Sequence, residues 1–183
     1  PGSGSTWNDI SGNARTATNA AGVSYSTSGN GIMYYNGTST GYTDFNFNLG
    51  SATTLSFEMW VFPTVLTNSM YFGFNLYDVY ANSGSLGFNS STGDNYGLTA
   101  AQVSSLGLLN NWNHYVFVMN SGSYLQNKIY INGVKQTLSQ IQGSQNTSTV
   151  NFNGGIGRIA SWITSSSFMQ NMYLSKFKVY RRE

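Results

Sequence analysis

Strand-length runs of aromatic and β-branched residues recur between glycines along this chain, and that punctuation limits the fold more than any other feature. The runs are Ile32–Asn36, Thr54–Phe62, Met70–Ala81, Trp112–Asn120, Lys128–Asn132, Val134–Leu138, Gly155–Ala160 and Met169–Arg181. They predict an all-β sandwich or barrel of short strands joined by turns. The single expected helix is a short one near Ala100–Leu106, capped by Thr99 and limited by serines and Gly107. Asn132-Gly133, between Lys128-Ile-Tyr-Ile and Val-Lys135, suits a type I′ turn, whose two central residues both need φ > 0.

Two runs carry large side chains on both alternating faces. In Thr54–Phe62, Leu55, Phe57, Met59 and Val61 point one way, and Glu58, Trp60 and Phe62 the other. In Trp112–Met119, His114, Val116 and Val118 alternate with Tyr115, Phe117 and Met119. Strands wet on one side carry polar residues there, so both runs are expected within sheets covered on both faces. In the last run Met172 and Leu174 are even-numbered but Phe177 and Val179 are odd. A β-bulge near Ser175–Lys176 keeps both pairs on one face and turns Lys176 and Lys178 outward, where charge discourages edge pairing.

Composition removes whole classes of function. The 183 residues suit one domain, expected to be part of a longer chain because it begins at Pro1 without methionine. Charged residues make up 8%, while 22 Asn, 26 Ser and 17 Thr supply the polarity, and 40% hydrophobic content supplies a core. A net charge of +2 offers no stripe for phosphates, so no nucleic-acid partner is expected. No apolar run approaches the length of a membrane span and no leader precedes Thr6, so neither membrane insertion nor a signal peptide is expected. The absence of cysteine rules out disulfides and thiolate chemistry, and the lone His114 rules out a histidine cluster.

In order along the chain, Gly4-Ser-Thr-Trp-Asn-Asp-Ile-Ser-Gly-Asn13, Ser28-Gly-Asn-Gly-Ile-Met-Tyr-Tyr-Asn-Gly37, Leu55-Ser-Phe-Glu-Met-Trp-Val-Phe-Pro63, Trp112-Asn-His-Tyr-Val-Phe-Val118, Lys128-Ile-Tyr-Ile-Asn-Gly-Val134, Gly155-Ile-Gly157 and Phe177-Lys-Val-Tyr-Arg-Arg182 resemble the laminin-G-like branch of the concanavalin A-like lectin/glucanase superfamily. The resemblance implies a two-sheet antiparallel jelly-roll sandwich with one concave sheet. It also implies a binding module for glycans or proteins, of the type found in structural proteins of phages and large DNA viruses. The expected location is therefore a virion surface or the extracellular space.

The candidate chemistry is recognition rather than bond-breaking. A glycosidase needs two carboxylates across a sugar cleft, and Glu58 is the only glutamate before the C-terminus, so no enzyme is expected. Gly37-Thr-Ser-Thr-Gly41 fits the nucleophile-elbow pattern, but a strand-like alternation follows it where that chemistry requires a helix. His114 reads as a packed, hydrogen-bonded strand residue. Sugars are held by aromatic faces with amides and carboxylates alongside. Two groups suit that chemistry: Trp162 with the loop residues Tyr80, Asp78, Asn82, Asp94 and Tyr96, and the strand face of Glu58 and Trp60 with Phe62. No cofactor is required; calcium would find oxygens at Asp78 with Asn75 and Asn82, or at Asp94 with Asn89 and Asn95. The expected function is non-catalytic adhesion to glycans or to neighbouring structural subunits, the alternative being a purely architectural virion domain.

Overall fold

The computed structural model describes residues 4–26, 32–47, 49–90, 93–150, 152–165 and 167–182, so Ser28–Gly31 of the second motif above lie outside it. Among the described residues, two antiparallel sheets face each other. The larger runs β1 (Thr6–Trp7), β2 (Ala17–Asn19), β5 (Thr43–Asn46), β15 (Ile156–Ile159), β7 (Ser69–Phe74), β8 (Tyr77–Asn82), β9 (Ser85–Ser90), β10 (Asn95–Leu98), β14 (Ser139–Gln142). The smaller runs β13 (Val134–Lys135), β12 (Lys128–Ile131), β11 (Asn113–Asn120), β6 (Thr54–Pro63), β16 (Asn171–Tyr180), β4 (Met33–Asn36), β3 (Val23–Tyr25). This is the expected two-sheet antiparallel sandwich. The one α-helix among the described residues, α1 (Ala100–Ser105), starts at Thr99 with a capping box shared with Gln102. Among the described residues no helix is long and apolar enough to cross a membrane.

Alternation assigns the inner faces. Leu55, Phe57, Met59 and Val61 of β6 are fully buried, as are Tyr115, Phe117 and Met119 of β11. They meet Phe72, Phe74, Tyr77, Val79, Leu86 and Phe88 from the other sheet. Phe57 and Phe72 lie 4.3 Å apart between ring centroids, and Phe72 and Phe117 5.7 Å. The bulge appears as a register shift between Leu174 and Lys176. It turns Phe177 inward to within 5.9 Å of both Phe57 and Phe72, while Lys176 and Lys178 are exposed. Past Leu174, among the described residues, β16 pairs only with β6, so the lysines do stand at a sheet edge. Asn132 and Gly133 take φ of 51° and 81°, closing the expected hairpin.

Three expectations change. Met70–Ala81 is a hairpin of two strands, turning at Asn75–Leu76 without a glycine or proline to mark it. Gly73 lies inside β7 opposite Asp78, where a Cβ would come within 2.1 Å of the Asp78 Cβ. Val134–Leu138 is paired only at Val134–Lys135. The outer faces of β6 and β11 are covered only at one end, where Ser56 is 4% and Val118 3% exposed; toward the other end Trp60 remains 40% exposed and Trp112, just before β11, 39%. Large apolar side chains on both faces therefore signal one packed face and one aromatic surface, which folded proteins tolerate because much of any surface is apolar.

The larger sheet curls toward its outer face at β8–β14. The Asn82 amide on β8 donates to Gln142 Oε1 on β14 at 2.6 Å, although two strands intervene and flat strands so placed stand roughly 14 Å apart. Glycine permits the bend, because a Cβ on Gly97 would sit 2.3 Å from the Gly87 Cα. Gly97→Ala is therefore expected to cost about 3 kcal/mol by urea unfolding. Gly122→Ala, whose Cβ would meet nothing closer than 3.6 Å, should stay within about 0.5 kcal/mol. Equal losses at the two positions would refute the close approach.

Candidate binding faces

The outer face of the smaller sheet is built by cross-strand register. Trp60 pairs with His114 on one side and Lys176 on the other, and Glu58 pairs with Val116 and Lys178. Glu58 is the hub. Its Oε1 lies 3.0 Å from Lys178 Nζ and 3.4 Å from His114 Nε2, and its Oε2 accepts the Tyr180 hydroxyl at 2.7 Å. Partial burial pushes the Glu58 carboxyl up, but hydrogen bonds from Tyr180 and Lys178 outweigh it and hold the group below its ordinary range. The bond to Glu58 in turn raises both the Tyr180 phenol and the Lys178 ammonium. At neutral pH Glu58 is thus an ionised acceptor, with Tyr180 and Lys178 protonated.

Around that hub runs an aromatic ribbon. Trp60 packs 5.3 Å from the His114 ring, and Phe62 lies 5.9 Å from Trp112 and 5.8 Å from Tyr173. Tyr173 stacks on Tyr34 at 4.7 Å. The His114 ring approaches Glu58 with Nε2 3.4 Å from Oε1, but it stands half-exposed on this open face rather than packed. Trp112, Tyr34, Tyr173 and Tyr180 join the expected Glu58, Trp60 and Phe62. The alternation in β6 could not signal these four, because they come from other parts of the sheet, whose register a single sequence does not reveal.

The second expected group is brought together only in part, and it is packed rather than open. Asp78, Tyr80 and Asn82 belong to strand β8 and not to a loop, with Asp78 2% and Tyr80 8% exposed. Trp162 is half-buried: its Nε1 donates to the Asn75 carbonyl at 3.1 Å, and its ring meets Phe168 at 6.1 Å. Phe168 in turn contacts Tyr80 edge-on at 5.6 Å. Beside them Arg158 binds Asp44 through two nitrogens at 2.6 and 3.1 Å and lies 3.6 Å over the Tyr42 ring. Asp94 is buried before β10, its Oδ1 accepting from the Ser90 N–H at 2.9 Å and the Ser90 hydroxyl at 2.7 Å. Tyr96 points the other way from Asp78, toward Tyr124 at 5.7 Å.

The calcium expectation meets a mixed donor set. Asp78 Oδ1, Asp94 Oδ2 and Asn95 Oδ1 are buried without hydrogen-bond partners. Yet the Asn75 carbonyl is taken by Trp162, and Asn82 and Asn89 spend their amide N–H groups on Gln142 and the Asp94 carbonyl. Among the described residues no three histidine or carboxylate groups converge.

Burial, then repulsion from Asp94, pushes the Asp78 carboxyl well above its ordinary range. A carboxyl raised in the fold is neutral there but ionises on unfolding above about pH 3.9, so it favours the fold below that pH and loses this contribution as pH rises. Asp78→Asn should therefore raise Tm at pH 7, by about 2–4 °C per kcal/mol gained, and leave it unchanged near pH 3. A lower Tm at pH 7 would show instead that a cation holds the group ionised.

Comparison with known proteins places the fold. A family model described as the concanavalin A-like lectin/glucanases superfamily matches residues 36–183. No curated protein matches the sequence. Among solved structures, the receptor-binding domain of a botulinum neurotoxin C/D mosaic superposes with TM-score 0.64 at 15% identity, over 96% of this chain and 45% of that one. The ligand-binding domain of botulinum neurotoxin serotype D, in complex with N-acetylneuraminic acid, gives 0.58 at 18%, with the same coverage. A mutant Trypanosoma rangeli sialidase displaying trans-sialidase activity gives 0.67 at 13%, over 100% of this chain and 30% of that one. This chain thus spans less than half of each structure, and the likeness is one of fold. With its two antiparallel sheets and a family match over most of its length, the chain belongs to the concanavalin A-like lectin/glucanases superfamily.

Proposed function

We propose that this chain is a non-catalytic carbohydrate-binding module, working on a virion surface or in the extracellular space as the adhesive part of a larger structural protein. One observation carries this reading: the exposed indoles of Trp60 and Trp112 follow one another along an open sheet face, beside a fixed polar cluster. Sugar rings stack their C–H faces on such rings, and the neighbouring polar groups meet their hydroxyls. The fold supports it, since structures that share it include one solved with N-acetylneuraminic acid.

The chemistry of the cluster supports a binding role over a catalytic one. A glycosidase acid must hold a proton at working pH, whereas Glu58 is held ionised. Tyr180 is held protonated, which suits a donor rather than a nucleophile. The reading requires no cofactor. A calcium ion at Asp78 or Asp94 would reveal itself as a melting temperature lowered by chelator.

A glycan array with the wild type, Trp60→Ala and Trp162→Ala tests the reading. Trp60→Ala should weaken binding by about tenfold or more, as loss of a central aromatic anchor does, with Tm little changed. Loss in Trp162→Ala alone would move the site to the other sheet. Silence from the wild type would favour an architectural domain that docks neighbouring subunits through the same ribbon. Polysaccharide turnover abolished by Glu58→Gln would restore an enzyme.

A further inference from the structure

A cavity of about 530 Å³ opens at the edge of the sandwich where residues 136–138 cross from β13 to β14, and neither Trp60 nor Glu58 lines it. Its size is that of a small-molecule pocket. Tyr96, Leu125, Gln126, Asn127, Gln136 and Leu138 give its wall the chemistry of recognition.

The amides of this wall are each held by one end and unspent at the other. Gln126 Oε1 accepts from the Asn120 amide at 3.3 Å, and Gln136 Nε2 donates to the Val134 carbonyl at 2.8 Å. Those bonds orient Gln126 Nε2 and Gln136 Oε1, neither of which has a hydrogen-bond partner among the described residues. Asn127 repeats the pattern. Its Oδ1 accepts from the Tyr77 hydroxyl at 2.6 Å and the Asn120 N–H at 2.8 Å, while its Nδ2 is buried with no partner. A buried donor left unbonded is costly, and an acceptor bound beside it relieves the cost.

The backbone behind these groups is braced. Gln136 N–H donates to the Ile129 carbonyl at 2.9 Å, and Gln102 Nε2, held by the helix cap, donates to the Thr137 carbonyl at 2.9 Å. Apolar surface completes the wall: Leu125 is exposed, Leu138 is half-buried against the core, and the Tyr96 ring is fixed 5.7 Å from Tyr124. One cavity thus offers two amide donors, one amide acceptor and leucine side chains. An acetamido group carries the complement of that set, a carbonyl, an N–H and a methyl. A hydroxyl in its place has no methyl to cover the leucines, and its one oxygen does not span both kinds of amide.

We infer that this cavity is a second ligand site, selective for an N-acetylated hexosamine of a neutral glycan. Gln126 and Asn127 donate to the acetamido carbonyl, Gln136 accepts its N–H, Leu125 and Leu138 receive its methyl, and Tyr96 meets the sugar ring. The match uses no charged group. It also uses neither Trp60 nor Glu58, so it stands or falls apart from the reading above.

Diacetylchitobiose and cellobiose, titrated into the whole chain by calorimetry, differ only in carrying acetamido or hydroxyl groups at C2. Diacetylchitobiose should bind at least about tenfold more tightly, at low and at high salt alike. Gln136→Ala should erase that preference without changing Tm, and Trp60→Ala should leave it intact. The inference is overturned if diacetylchitobiose does not bind at about 10 mM or if the two sugars bind equally. It is also overturned if high salt or Trp60→Ala abolishes the preference, or if Gln136→Ala retains it. In the wild type, shifts of the Tyr96 and Gln136 amide resonances on adding diacetylchitobiose would locate the sugar in the cavity, and shifts confined to β6 would sink the site.

Discussion

The interlock of Phe57, Phe72, Phe117 and Phe177 across the two sheets is the contact on which the rest of the molecule depends. Each ring is worth about 1.5–3 kcal/mol when buried. The set comes from four strands that are distant in sequence, so it fixes how those strands align. In β6 the alternation then leaves no freedom: with Phe57 and Met59 committed inward, Glu58 and Trp60 must face out. A slip of one residue would bury the charge and expose the core. The outer face is therefore a consequence of the inner one. The bulge in β16 belongs to the same logic, because without it Phe177 would point outward and Lys178 could not reach Glu58.

Much of this was legible from residue order alone, for local reasons. The Asn-Gly turn, the Thr99 cap and the β16 bulge each depend on a few adjacent residues, and each is present. The β7–β8 turn was not legible, because Asn75-Leu76 carries no glycine or proline. The setting of Asp78 failed for another reason. An acid between tyrosines reads as exposed, but Asp78 lies across the ladder from Gly73, in a hairpin pairing that the sequence does not mark. Nor does alternation say whether a second apolar face will be covered, which is why Trp60 and Trp112 were expected inside.

So few acids make each one informative. Asp9 spends its oxygens on its own loop, accepting from Ser11 and Arg15 N–H, and Asp44 is clamped by Arg158. Asp78 and Asp94 are buried. Among the described residues Glu58 alone of the acids stands on the aromatic face, and two donors, with the His114 ring close by, already engage both of its oxygens. Its work is accordingly to hold Lys178, Tyr180 and His114 in place, while contact with a ligand falls to the rings and to the donors it orients.

The two outer faces then differ in kind although they share residue types. On the larger sheet the aromatic side chains lock onto one another and onto backbone: Trp162 to Asn75, Phe168 to Tyr80, Tyr42 beneath Arg158. On the smaller sheet the ribbon from Tyr34 to Trp112 is supported from below by the core and held sideways by neighbouring rings, yet nothing among the described residues lies over it. Rings fixed in this way have already lost their rotameric freedom when the chain folds, so a partner that stacks on them does not have to pay it again. That separates an aromatic surface suited to recognition from one that closes a fold, and it follows from which rings are tied down at their edges and which at their faces.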